Sequence, residues 1–233
     1  MKIIDNLLSP EELTLFKQHW DENNQEGYVN WHSEGHLYAE RSEYIDKRLL
    51  IPKFTNLWRI LKRVVDKNVG QGEPFWANYQ RQSLPHMIHI DDYGKGATWD
   101  TYTIVIAVDT NPKFKTYVWK EEARDNEKLQ AFCEQWGSNR LTTPRVSNMS
   151  ETEDLEHTRD EHNGDFMADW LHLDGVFEYK SGSGVLFKTT QFHTTSNWCK
   201  YPEVTHRDLI QLHIGVPGDQ APDTSVMFTH IKA

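Results

Sequence analysis

Cysteine is nearly absent from this 233-residue chain: Cys133 and Cys199 are the only two, and no C-x-x-C pair occurs. That excludes a disulfide framework and a thiolate zinc site, and it points to a reduced, cytoplasmic compartment. Basic side chains are also short, 25 against 35 acidic ones, for a formal net charge of −10. Such a balance disfavours an electrostatic grip on a phosphate backbone, and nucleic acid with it. No apolar run approaches the ~18 residues of a membrane helix, and residues 1–8 turn polar too early for a signal peptide, so no membrane partner is expected. What is abundant is imidazole and indole, twelve histidines and nine tryptophans. The tryptophans leave room for an aromatic interface with a second copy, and the histidines have to be weighed one by one.

The length fits one domain with a sizeable core. Ser9-Pro10-Glu11-Glu12 combines an N-cap, a proline at the first helical position and a capping-box glutamate, predicting a helix over 10–22 with Leu13, Phe16 and Trp20 on one face. Phe54, Leu57, Trp58, Leu61 and Val64 recur at helical spacing and predict a second over 53–67. Residues 1–74 thus read as a helical cover. After Pro74 come short strand-like runs over 75–82, 86–91, 101–108, 114–119, 176–180, 184–189, 192–195 and 206–216. An insertion over 121–175 interrupts them, with a predicted helix at 121–136 and a polar, acidic stretch at 147–165 that reads as a lid or as a solvated loop. Residues 217–233 form a tail. The pattern is mainly β: a sandwich or barrel over 75–216 with helices packed outside.

In His89-Ile90-Asp91 strand alternation puts the imidazole and the carboxylate on one face. A second imidazole, His193, follows 104 residues later after a glycine turn and a strand. Two imidazoles and one carboxylate are the set that holds Fe(II) on one face and leaves the other open. A rival H-x-D stands at His172-Leu173-Asp174, but the 21 residues from there to His193 scarcely hold the strands that separate ligands on opposing sheets. His89 and Asp91 are therefore preferred. Asp165, Asp169, His172 and Asp174 could form a second metal site, a weaker reading. On the last strand Arg207 alternates with Leu209, Gln211 and His213, so it can face inward, where a guanidinium needs an anionic partner: a protein carboxylate or a bound dicarboxylate.

These residues resemble the Fe(II)/2-oxoglutarate-dependent oxygenases, within them the prolyl 4-hydroxylase-like branch with its small stand-alone bacterial and phage members. Tyr79, ten residues before His89, is similar to that branch's active-site tyrosine; Thr103-Ile104-Val105-Ile106-Ala107-Val108-Asp109 to its Thr-led strand; Gly182-Ser183-Gly184-Val185-Leu186-Phe187 to the turn and strand before the distal ligand; and Arg207-Asp208-Leu209-Ile210-Gln211-Leu212 to its basic strand. The Gly-Gly-Glu-Thr strand of prolyl hydroxylases is missing, and the Arg-x-Asn-x-Thr-x-Arg of the nucleic-acid demethylases is not matched by Arg207, Leu209, Gln211 and His213. The resemblance implies a double-stranded β-helix, a jelly-roll or cupin-like core. It implies His89, Asp91 and His193 as the catalytic Fe(II) ligands, Arg207 and Tyr79 on 2-oxoglutarate, and O₂ as the oxidant. A C–H bond of a small molecule or peptide would be hydroxylated with decarboxylation of the keto acid to succinate. Tyr93, Lys95, Trp99 and Trp198 are the candidate substrate contacts. Two other readings use the same residues: a metal-dependent hydrolase, and a non-catalytic β-barrel binding module in which His89 and Asp91 are a structural pair.

Overall fold

The computed structural model of the chain describes residues 1–23, 29–31, 46–70, 72–82, 91, 101–122, 172–196, 198, 201 and 203–215. The first helix, α1 (Pro10–Asn23), starts where the sequence predicts. Its capping box closes in both directions, Glu12 N–H donating to Ser9 Oγ at 3.2 Å and Ser9 N–H to Glu12 Oε2 at 3.0 Å. Helix α2 (Asn56–Asn68) begins later than the periodicity implies because Thr55 is the cap, its hydroxyl accepting from Trp58 N–H. Arg63 of α2 then grips Glu12 with both terminal nitrogens, at 2.6 and 2.9 Å, pinning the start of α1 to the middle of α2.

The strands are β1 (Lys2–Ile4), β2 (Val29–Trp31), β3 (Asp46–Leu50), β4 (Glu73–Gln82), β5 (Thr101–Ala107), β6 (Asn111–Glu122), β7 (Leu173–Tyr179), β8 (Gly184–Lys188), β9 (Gln191–Thr195) and β10 (Arg207–Gly215). They form a seven-stranded sheet in the order β1-β8-β5-β10-β4-β3-β2 and a three-stranded sheet in the order β7-β6-β9, with antiparallel pairing throughout.

Alternation sorts each strand of the large sheet between two apolar clusters. Ile104, Ile106 and Val108 of the β5 segment, with Ile210, Leu212 and Ile214 of β10, pack outward against Phe16, Trp20, Leu61 and Val65 of the helices. Val105, Ala107, Val185, Phe187 and Leu209 face the other way, onto Phe114, Val118, Phe177 and Tyr179 of the small sheet. The space between the sheets is therefore a barrel interior, closed on one side by a sheet that the helices stiffen. Truncating a fully buried anchor such as Phe16 to alanine costs about 3–5 kcal/mol. The turn into β8 needs its glycines: Gly182 is left-handed at φ +77°, and a Cβ on Gly184 would stand 2.6 Å from the Val105 carbonyl oxygen.

Three expectations need correction. The segment before residue 75 is not purely helical, because β1 and β3 extend the large sheet at β8 and β4. Three residues are too few to show a period, and in β3 the charged Lys47 and Arg48 mask the core-facing Leu49. Strand β6 runs on to Glu122, so the helix predicted from 121 does not start there; its remainder lies outside the described residues. Strand β7 starts at Leu173, three residues before the predicted 176.

Candidate active site

A polar file crosses the interior face of the large sheet. From β10 it takes Arg207, Gln211 and His213, from β4 Gln82, Gln80, Asn78 and Trp76, and from β5 Thr103, set side by side by the registers Arg207↔Gln82, Leu209↔Gln80, Gln211↔Asn78, His213↔Trp76 and His213↔Thr103. All are buried except Trp76 and Gln211, which are half-buried. Buried polar groups on this scale need partners, and the interior supplies most of them.

Asp91 hangs above this file. Its N–H donates to the Thr189 carbonyl at 2.8 Å, fixing it to the turn between β8 and β9. Its Oδ2 accepts from the Thr103 hydroxyl at 2.8 Å and, more weakly, from Gln211 Nε2 at 3.4 Å. His193, in the middle of β9 opposite Val118, comes to 3.6 Å from the same oxygen through Nε2. Its other nitrogen, Nδ1, lies 3.1 Å from the Gln191 carbonyl oxygen, which can only accept. Nδ1 therefore carries a proton, and Nε2 is the nitrogen directed at the carboxylate. Two donor atoms sharing one ion stand about 3 Å apart at ordinary metal–ligand lengths, so at 3.6 Å this pair needs to close by only about half an ångström to share a cation. Phe187, 4.6 Å from the His193 ring, holds it from the side.

Arg207 is 2% exposed, and its guanidinium sits between two aromatic faces, 4.6 Å from the Trp198 ring and 4.9 Å from Tyr179. Nε donates to Gln82 Oε1 at 3.0 Å, and Nη2 donates to the same oxygen. Burial pushes the Tyr179 phenol up, against the pull of Arg207, so it stays neutral beneath the cation. The geometry also leaves fully buried polar atoms without a hydrogen-bond partner among the described residues: both carboxamide atoms of Asn78 and the Trp198 Nε1 next to Arg207. A bound anion or polar molecule in the interior would satisfy them.

Asp91, His193 and Arg207 thus lie in one interior. His89 lies outside the described residues, as do Tyr93, Lys95 and Trp99. Tyr79 does not join them. It is an odd residue of β4, pairs with Ile210 and points into the helix-facing cluster, where its hydroxyl donates to Asp208 Oδ2 at 2.9 Å and its ring stacks on Trp20 at 5.0 Å. Trp198 is no rim residue either: it is fully buried and forms the wall behind Arg207. The rival H-x-D is accounted for, since His172 is exposed and bonds Glu121 at 2.7 Å while Asp174 pairs with the Met1 ammonium. The glutamines of β4 were missed, although the signal was present: Trp76, Asn78, Gln80 and Gln82 form a polar period-2 face opposite Phe75, Ala77 and Tyr79.

Neither a family model nor a curated protein sequence matches this chain. Solved structures do. SnoK, a non-heme α-ketoglutarate-dependent carbocyclase from nogalamycin biosynthesis, superposes with a TM-score of 0.56 at 12% identity over 92% of this chain and 78% of its own. The fold is that of the non-heme 2-oxoglutarate-dependent enzymes. The epimerase SnoN follows at 0.55 and 10% identity over 91% and 76% of the two chains, and HygX from Streptomyces hygroscopicus, with nickel and 2-oxoglutarate bound, at 0.52 and 10% over 93% and 82%. At such identities the likeness is one of fold, and the jelly-roll core expected from the resemblance is the core found.

Proposed function

We propose that this chain is an Fe(II)- and 2-oxoglutarate-dependent oxygenase that hydroxylates an unactivated C–H bond of a small molecule. The observation that carries the reading is the approach of His193 Nε2 to Asp91 Oδ2 at 3.6 Å in a buried interior that also holds the Arg207 guanidinium. His89, two residues before Asp91, would complete the ligand set, and bound iron with 2-oxoglutarate and O₂ would supply the oxidising power for C–H cleavage. The protein's own residues then have separate tasks. Asp91 and His193 present one face of donors, each oriented by a hydrogen bond of its own, to Thr103 and to the Gln191 carbonyl. Arg207, always charged and set over the rings of Trp198 and Tyr179, would direct its guanidinium to the far carboxylate of the keto acid. Arg207 and Gln211 are four residues apart on β10, about 13 Å along the strand. The keto acid would lie between Arg207 and the Asp91–His193 pair, which Gln211 adjoins through Asp91. The Phe187, Val185 and Val105 walls keep water from the reacting centre.

A small-molecule substrate is favoured by one of these structural neighbours. Only SnoN bears on this point, being known in complex with Fe³⁺, α-ketoglutarate and nogalamycin RO at a TM-score of 0.53, while HygX at 0.52 carries 2-oxoglutarate beside nickel and speaks to the cosubstrate alone. The test is aerobic turnover of 2-oxoglutarate by the iron-loaded protein. Succinate release that requires Fe(II) and disappears in His193→Ala supports the proposal. Metal-dependent hydrolysis of ester or phosphoester substrates, indifferent to 2-oxoglutarate, would support the hydrolase reading instead.

A further inference from the structure

Between Arg207 and Asp91 runs an unbroken chain of carboxamides. Arg207 donates to Gln82 Oε1; Gln82 Nε2 donates to Gln80 Oε1 at 2.7 Å; Gln80 Nε2 donates to Gln211 Oε1; and Gln211 Nε2 closes on Asp91 Oδ2 at 3.4 Å. The direction of every link is dictated by its ends. A guanidinium can only donate and an ionised carboxylate can only accept, so each glutamine must turn its oxygen toward Arg207 and its nitrogen toward Asp91. Reversing any one amide sets donor against donor on one side and acceptor against acceptor on the other. In a buried interior such a chain polarises along its length, each bond strengthening the next. Gln80 and Gln82 are 1% and 2% exposed and Gln211 is partly buried, so the links run through the protein interior.

We infer that Gln82, Gln80 and Gln211 are positioning residues that form a directional relay, coupling the orientation of the Arg207 guanidinium to that of the Asp91 carboxylate. This rests on the functional reading above for its meaning, the coupling of the keto-acid end of the site to its metal end, but not for its existence. The relay keeps Asp91 Oδ2 committed to Gln211 and Thr103, and it keeps the Arg207 fork in one plane between its two aromatic neighbours. Cutting the chain anywhere loosens both ends, including the end that the cut residue does not touch.

Methionine, similar in length and without hydrogen-bonding groups of comparable strength, cuts each link: Gln82→Met beside Arg207, Gln80→Met in the middle, Gln211→Met beside Asp91. Co(II) binding to the whole protein, followed by its visible absorption, reads the Asp91 end. The Arg207 Nε–H resonance of the metal-free protein reads the other. The relay predicts that Gln82→Met and Gln80→Met weaken Co(II) about fivefold to tenfold, the worth of one buried hydrogen bond, although neither residue touches Asp91. It predicts that Gln211→Met shifts the Arg207 Nε–H signal, and that Gln82→Met combined with Gln211→Met costs less in Co(II) affinity than the two singles together, because a chain is cut once. Co(II) affinity lost only in Gln211→Met, with an unmoved Arg207 signal, overturns the relay in favour of separate local contacts. Should a variant fail to fold, the wild type decides: side-chain amide protons of the three glutamines exchange with solvent at one common rate if they open as a unit, and at three unrelated rates if they do not. A wild type that releases no succinate, yet transmits the Gln211→Met change to Arg207, sinks the functional reading and leaves the relay standing.

Discussion

Replacing Tyr79 with phenylalanine separates what its place in the sequence suggests from what its place in the fold does. Ten residues before an H-x-D, this tyrosine has the position of a cosubstrate contact, yet the structure turns it onto the opposite face of β4 from Arg207. Its hydroxyl donates to Asp208 Oδ2 at 2.9 Å in a site that is 1% exposed. Burial, then the adjacent Asp208 charge, push its phenol well up, so it remains a donor at any pH at which the protein folds. Phenylalanine keeps the ring stacked on Trp20 and removes one charge-assisted hydrogen bond, worth about 1.5–3 kcal/mol. Asp208 is not orphaned by the change, because Arg81 still holds it through Nε at 2.9 Å and Nη2 at 2.7 Å, which favours the lower half of that range. At about 2–4 °C per kcal/mol for a chain of this size, Tm should fall by roughly 3–8 °C. Calorimetry reads that drop, and calorimetric titration of 2-oxoglutarate into the Co(II)-loaded variant should give the wild-type affinity. An unchanged Tm with weakened 2-oxoglutarate binding would refute the reasoning.

Other consequences follow from the same contacts. Arg207→Met should weaken 2-oxoglutarate binding to the metal-loaded protein about 10-fold to 100-fold in a titration, since the charged, forked donor set is lost. Glu12 is held below the usual carboxylate range, chiefly by its hydrogen bond to Arg63, so its contribution is present above its unfolded pKa and lost as pH falls through the folded one. Denaturant titrations should therefore show Glu12→Gln, which keeps the capping-box bond but loses the ion pair with Arg63, about 0.5 kcal/mol less stable than wild type above about pH 5, with the gap closing in more acidic buffer. Phe54 holds a left-handed φ of 69° while 87% exposed, a conformation that costs a side chain about 1–2 kcal/mol and glycine much less. Phe54→Gly should raise Tm by one or two degrees, measured by thermal scan, at about 2–4 °C per kcal/mol with part of the gain returned as chain entropy. An unaltered or lower Tm would mean that the ring does more than the structure shows.

What the sequence disclosed depended on period and distance. The capping box at Ser9 and the spacing of Leu13, Phe16 and Trp20 placed α1 because those signals are local. The inward set Arg207, Leu209, Gln211 and His213 followed from alternation once β10 was recognised as a strand, and loop length is the ground for preferring the H-x-D at His89 over the one at His172. Phase was the weak point. In β4 both faces are buried, one against helices and one against the small sheet, so hydrophobicity does not say which face is the interior. Position relative to His89 then suggested Tyr79, while pairing with β10 gives the interior to Gln80 and Gln82. Trp198 misled for a related reason: nearness to His193 in sequence looked like nearness to a mouth, whereas the chain after β9 folds back over Arg207. Strands β1 and β3 were too short or too charged to carry a period of their own, and they exist because neighbouring strands offer edges to pair with.

The central claim is that Asp91 and His193, with His89, hold iron beside a keto acid anchored by Arg207. Anaerobic titration of the whole protein with Fe(II) and then 2-oxoglutarate tests it most directly. One iron per chain is expected, with a weak visible absorption band that grows with the keto acid, is lost in His193→Ala and Asp91→Ala, and needs far more 2-oxoglutarate in Arg207→Met. A folded, iron-loaded protein that shows no such band, or one whose band survives in Asp91→Ala, would contradict it.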